Sequence, residues 1–227
     1  MDYAHIKTGT DEEFIQGSAL LLISLIHAVL QKQNGCLLAL SGGSTPIPVY
    51  KELGSSCAIE WDKVWICLVD ERYIDADSDD SNAKMISETL LGESNIPKSN
   101  ILFPDTSAPL EKCVEQYNEA LSSITPDIAV LGMGPDGHIA SLFPPLMEDA
   151  INRDKACIHT VTDKFAVHDR ISMTLPALAR IDSSVFLLKG KDKLHAWEEM
   201  NESTEGVKRW PAKGILATGG VTVVSKE

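Results

Sequence analysis

The segment "VLGMGPDGHIASLFPP" sets three glycines, Gly132, Gly134 and Gly137, directly ahead of His138 and ends on Pro144–Pro145. The spacing satisfies G-x-G-x-x-G, the turn that lets a backbone approach a dinucleotide pyrophosphate. Its context argues for different chemistry. A dinucleotide turn belongs to the first strand–helix unit and opens a long helix. These glycines follow the third or fourth apolar strand, and the prolines leave room for barely two helical turns. An imidazole on a polar glycine turn beyond a strand end suits general acid–base work, because its ordinary pKa lies near neutrality. His138 is therefore expected to be catalytic, with Gly134 bringing the backbone close to a small ligand.

Three other segments concentrate reactive or charged side chains. "LSGGST" comprises Ser41, Gly42, Gly43, Ser44 and Thr45. It lacks the G-K-[ST] of a Walker A loop, and Pro46 stands where a nucleophile elbow needs its last glycine. Amides and hydroxyls converging on a helix start make an anion site, since unpaired N–H groups and the helix dipole both favour negative charge. The plainer alternative is an ordinary turn, with Ser44 or Thr45 capping the next helix and Pro46 in its first turn. "LVDERYIDADSDDSNA" puts Asp70, Glu71 and Arg72 at a strand end. Its later acids imitate a calcium loop, but Asp80 and Ile86 occupy the positions that need glycine and glutamate, so calcium is rejected. "DRISMTLPALARI" and "VFLLKGKDK" contribute Arg170 and Lys193, which together with the glycine loop would form a phosphate pocket.

Turns of this kind need a scaffold. "CLLALSGG", "KVWICLVDE", "DIAVLGMG", "CIHTVT" and "SVFLLKG" are short apolar runs of strand character. Between several of them lie helical stretches, the clearest being "NAKMISETLLG", "PLEKCVEQYNEALSSI" and "DKLHAWEEMNE". The long stretch from Thr10 to Gly35 adds a threonine cap, early acids and a terminal glycine. Alternation of this sort predicts an α/β fold, a doubly wound and mostly parallel sheet with helices on both faces. Ligands of such sheets bind beyond the carboxyl ends of the strands, where all four segments fall.

Composition narrows the function classes. The chain has 227 residues, 44% of them hydrophobic, enough for one large domain. A net charge of −13 argues against nucleic acid as a partner, because phosphate backbones need a basic face. The five cysteines, Cys36, Cys57, Cys67, Cys113 and Cys157, are widely spaced without C-x-x-C, against a disulfide framework and a zinc ribbon. The six histidines show no metal-site spacing. No apolar run reaches the ~18 residues of a membrane span. A cytoplasmic location with no membrane partner is expected, and the chain sets no oligomeric state, a monomer being compatible.

Together, "LALSGGSTP", "VDERYI" with "SNA", "DIAVLGMGPDGHIASLFP" and "RISMTLPAL" with "LLKGKDK" resemble the 6-phosphogluconolactonase family. They occur in that family's order over residues 36–195. Glucosamine-6-phosphate deaminase belongs to the wider superfamily, but typically reads D-E-Y and carries a glutamate after its histidine. Here Asp70-Glu71-Arg72 stands in the first place and "HIASLFP" in the second. The chain departs from the family before Arg170, where "KFAVHD" lacks the usual prolines, and in its C-terminal strand.

The resemblance implies that residues 1–227 form one sugar-phosphate lactonase domain. Its reaction would be hydrolysis of 6-phospho-D-glucono-1,5-lactone to 6-phospho-D-gluconate, in the oxidative pentose phosphate pathway, without metal or cofactor. His138 would activate water. Asp70 would orient either the imidazole or the sugar hydroxyls, and Arg72 or backbone amides would stabilise the oxyanion. Ser41 to Thr45, Arg170 and Lys193 would hold the phosphate. The competing readings are a deaminase-isomerase, a non-catalytic sugar-phosphate sensor, and a serine hydrolase built on Ser41 or Ser141.

Overall fold

A computed structural model describes residues 3–227. Among the described residues there are ten strands: β1 (Ala4–Thr8), β2 (Cys36–Leu40), β3 (Val64–Leu68), β4 (Asp70–Arg72), β5 (Ile101–Leu102), β6 (Ile128–Leu131), β7 (Cys157–Val161), β8 (Asp169–Met173), β9 (Ser183–Lys189) and β10 (Val221–Lys226). The helices are α1 (Asp11–Leu30), α2 (Ile47–Gly54), α3 (Asn82–Glu88), α4 (Leu90–Glu93), α5 (Leu110–Ser122), α6 (Leu175–Leu178), α7 (Lys191–Glu202) and α8 (Ala212–Leu216).

Seven strands form one sheet in the order β1-β10-β9-β6-β2-β3-β5, with every pairing parallel. Successive strands bury opposite faces, as the two-residue pleat requires. Leu38 and Leu40 face a core shared with α1 and α2, while Ala39 between them faces the core of α5, α7 and α8. The sheet is thus covered on both sides, as the continuous apolar runs predict. From β2 the chain winds outward through β3 to β5, then returns to β6 and winds the other way through β9 and β10. The gap between β2 and β6 is the topological switch point, where a doubly wound sheet leaves a crevice for ligand.

A second, three-stranded antiparallel sheet, β4-β8-β7, lies outside this frame. It corrects the expectation that "CIHTVT" belongs to the main sheet: that segment is β7 and pairs with β8. The small sheet matters because β4 and β8 align Arg72 opposite Arg170. Edge strand β1 has no counterpart among the predicted strands.

Local signals hold in part. Thr10 caps α1, accepting the Glu13 amide at 3.1 Å while Glu13 accepts the Thr10 amide, a reciprocal capping box. Ser44 and Thr45 do not cap α2. The helix begins at Ile47 behind Pro46, without a side-chain cap. No helix follows His138 either; Ile139 bridges back to Leu142, and Ala140 between them has φ 47°. Helix α1 is long and apolar enough to cross a bilayer by length and composition alone. In the fold its Phe14, Leu22 and Ile26 are buried in the core under the sheet.

Candidate active site

The crevice between β2 and β6 opens into a cavity of about 270 Å³. Ser41, Gly42 and Gly43 reach it from the end of β2, and Gly134 and His138 from the turn after β6. The small sheet supplies Asp70, Arg72 and Arg170, and Lys193 comes from the first turn of α7. Ser44 is solvent-exposed and Thr45 is buried beside the pocket without lining it.

The turn carrying His138 is wound on its own hydrogen bonds. Gly137 donates its amide to the Gly134 carbonyl at 2.9 Å, and Gly134 donates to the His138 carbonyl at 2.9 Å. Gly137 has φ 87°, in the left-handed region that glycine tolerates. At Gly134 the reason for glycine is space: a Cβ there would stand 2.2 Å from His138 Cε1 and 2.3 Å from Nδ1. Gly134 therefore makes room for the imidazole, and its engaged amide has no hydrogen left for a phosphate. Gly134 still lines the cavity, so the backbone there comes close to whatever binds, as expected, but through its surface and not its amide.

His138 Nδ1–H donates to Asp136 Oδ1, which also accepts the His138 amide at 3.3 Å. The other carboxylate oxygen of Asp136 accepts from Lys164 Nζ at 2.5 Å. Burial opposes ionisation of Asp136, but the hydrogen bonds from His138 and Lys164 outweigh it and hold the carboxyl well below its usual range. An ionised Asp136 fixes the tautomer, leaving Nε2 free of protein partners among the described residues. Asp136 escaped the sequence reading, although a carboxylate two residues before a histidine on a tight turn was there as a signal.

Asp70 has a different neighbour. Its Oδ2 accepts from Ser141 Oγ at 2.6 Å, and its carbonyl accepts from Asn82 Nδ2 at 2.9 Å. Of the two tasks foreseen for it, orienting the imidazole belongs to Asp136. Ser141, 1% exposed, donates to the Asp70 carboxylate and is hydrogen-bonded to no histidine among the described residues, so it lacks the Ser–His pairing of a serine nucleophile. Asn82 was also missed. It fills the space that a Cβ on Gly42 would need, the nearest approach being 1.8 Å. Glu71 locks this corner. Its two oxygens accept the amides of Arg72, Asn82 and Ala83 and the Ser81 hydroxyl, at 2.7 to 3.2 Å. Burial pushes its pKa up against those bonds.

The cations are held without carboxylate partners. Arg170 is 5% exposed, donates Nε to the Val167 carbonyl at 2.8 Å, and lies over Phe165. Arg72 donates Nη1 to the Asp80 carbonyl at 2.5 Å, and its buried Nε has no partner among the described residues. Lys193 donates to Thr45 Oγ1 at 3.0 Å. Burial lowers the pKa of Lys193, and burial followed by the nearby Arg72 charge lowers that of Arg170. Among the described residues none of the three forms an ion pair, although the chain carries a net charge of −13. The amide of Ser41 is spent on the Val130 carbonyl at 3.1 Å, whereas those of Gly42 and Gly43 donate to no protein group among the described residues. Gly43 adopts φ 95°, which turns the loop so sharply. Unpaired donors and unpaired cations on one cavity make an anion site.

Comparison with known proteins fits this geometry. Residues 9–224 match the family described as glucosamine-6-phosphate isomerases/6-phosphogluconolactonase. A Dictyostelium discoideum protein named "Probable 6-phosphogluconolactonase" is 37% identical over 95% of this chain and 94% of its own length. The 6-phosphogluconolactonase of Thermotoga maritima is 36% identical over 79% of this chain and 80% of its own. A crystal structure of a 6-phosphogluconolactonase from Shewanella baltica superposes with a TM-score of 0.89 and 28% identity, covering 100% of this chain and 98% of that one.

Proposed function

Because the chain belongs to the glucosamine-6-phosphate isomerase/6-phosphogluconolactonase family, we propose that its cavity hydrolyses 6-phospho-D-glucono-1,5-lactone to 6-phospho-D-gluconate. The observation that carries this reading is the meeting of an oriented imidazole with three unpaired cations around one small cavity. A lactone phosphate needs both, a base for water and a fixed positive field for its dianion.

The phosphate is bound by the free amides of Gly42 and Gly43, the Ser41 hydroxyl, Lys193 and Arg170. His138 Nε2 takes a proton from water as the oxygen adds to the lactone carbonyl carbon. Asp136 stabilises the imidazolium that forms. The carbonyl oxygen becomes an oxyanion, for which the Arg72 guanidinium, lining the cavity, is a donor. Collapse of the tetrahedral intermediate breaks the bond to the ring oxygen, which receives the proton from Nε2. The imidazole is returned to its starting form, the carboxylic acid so formed releases its proton to solvent to give the carboxylate, and the only co-reactant is water. Charge and proton transfer both come from side chains, so the scheme asks nothing of a metal ion.

The test is a lactonase assay on freshly generated substrate, corrected for spontaneous hydrolysis and run with and without chelator. Ammonia release from glucosamine 6-phosphate is followed in parallel. Lactone hydrolysis that survives chelation, without ammonia release, is the expected result. Ammonia release without lactone hydrolysis would refute the reading.

A further inference from the structure

The loop joining β7 to β8, residues 162–168, bears an aromatic ring that this scheme leaves without a task. The loop is fastened at three points. Thr162 donates its amide to the His168 carbonyl at 3.1 Å, Lys164 pairs with Asp136 at 2.5 Å, and Arg170 Nε holds the Val167 carbonyl at 2.8 Å. Between these ties Phe165 stands 44% exposed at the cavity wall. Its ring centroid lies 5.7 Å from that of His138, 5.9 Å from that of Phe143 and 5.5 Å from Arg170 Cζ. Phe143 extends the wall, 5.0 Å from His138.

Resting on the lactonase reading, we propose that Phe165 is a specificity-determining residue that recognises the closed sugar ring by packing against its C–H face. The polar groups of the pocket, chiefly cations and hydrogen-bond donors, recognise phosphate and hydroxyls but not ring closure; of its two aromatic rings, Phe143 lies against His138 and Phe165 stands exposed at the wall. A closed lactone presents one fixed patch of C–H bonds, with its hydroxyls at the rim. An aromatic face carries negative charge density that attracts such a patch and buries apolar area in doing so. The opened acid is a flexible chain and offers no lasting face. It keeps the phosphate, so the cationic pocket binds substrate and product alike, while Phe165 favours the ring. The edge-on approach of Phe165 to His138, at 72°, puts this contact beside the attacking base.

The experiment compares wild type, Phe165→Ala and Phe165→Tyr. For each, the KM and kcat for the lactone are measured, together with the inhibition constant of 6-phosphogluconate. Phe165→Ala should raise KM about fivefold to tenfold, the size of one lost aromatic contact. The inhibition constant should stay within about twofold, since it reads the phosphate contacts that remain. Phe165→Tyr should restore KM. An unchanged KM in Phe165→Ala would overturn the inference and leave the lactonase reading standing. A parallel rise of KM and the inhibition constant would overturn it too, because Phe165 would then act only by supporting Arg170. A wild type without lactone turnover would overturn the underlying reading, and this inference with it.

Discussion

Asp136 holds His138 twice, once through the ring Nδ1–H and once through the backbone amide at 3.3 Å. The same carboxylate is braced by Lys164, and the Asp136 backbone carbonyl accepts from Arg209 Nη1 at 3.0 Å. A flexible imidazole is thereby fixed by groups within its own turn and by a residue from the far end of the chain.

Replacing the carboxylate tests that arrangement. Asp136→Asn keeps the shape but cannot stabilise an imidazolium, so kcat should fall about 10²-fold with KM nearly unchanged. The carboxyl is also linked to stability. Its folded pKa is depressed, so it stabilises the fold in full above the unfolded value of about 3.9, and this share is lost progressively as pH falls below that value toward the lower folded pKa. Chemical denaturation should find Asp136→Asn less stable than wild type at neutral pH, with the gap closing progressively below about pH 4. A gap that widens on acidification would contradict the linkage.

Gly134→Ala isolates the space that the imidazole occupies. The new Cβ would fall 2.2 Å from His138 Cε1, and the ring can swing away more easily than the backbone can move. Turnover should collapse while circular dichroism and the denaturation midpoint stay close to wild type. Full activity in this variant would show that the ring position is not required.

Arg170→Ala and Lys193→Ala address the anion site. Each should weaken 6-phosphogluconate binding by roughly 1.5–3 kcal/mol, the worth of a charge-assisted contact, and leave unphosphorylated gluconate almost unaffected. Distant acids on this negative chain matter little, because the Debye length is only ~8 Å at physiological salt. Calorimetry with both ligands reads the difference directly. Variants that keep the preference for the phosphorylated ligand would move the phosphate elsewhere.

The cysteines give a simple chemical check. Burial pushes the thiols of Cys36 and Cys67 up to about 12 and that of Cys113 up to about 11, and it raises Cys157 as well. Cys57 alone is exposed. A thiol-alkylating reagent at neutral pH should add one label per folded chain, at Cys57, without loss of activity. Labelling of a buried cysteine that parallels inactivation would point to a thiol in the chemistry.

Much of this was readable in the residues because the signals were local. The apolar run of β2 ends on glycines, Thr10 and Glu13 form a cap at fixed spacing, and His138 follows a glycine turn beyond β6. The small sheet was not readable, since β4 has three residues and pairs with β8 about a hundred positions away. Pairing at that distance leaves no periodic mark. Phe165 was hidden for a related reason: one aromatic in a polar loop has no pattern until the loop is folded onto Asp136 and Arg170. Gly134 does both things a glycine can do there, lining the cavity and leaving room for the His138 ring, and only the second needed the fold to be seen.

Whether His138 moves the proton is tested most directly by steady-state kinetics of His138→Asn. Asparagine preserves volume and a polar tip but cannot accept a proton near neutrality. The account predicts a loss of ~10²–10⁴ in kcat, with KM for the lactone and affinity for 6-phosphogluconate close to wild type. A variant that hydrolyses the lactone at near wild-type turnover would contradict it.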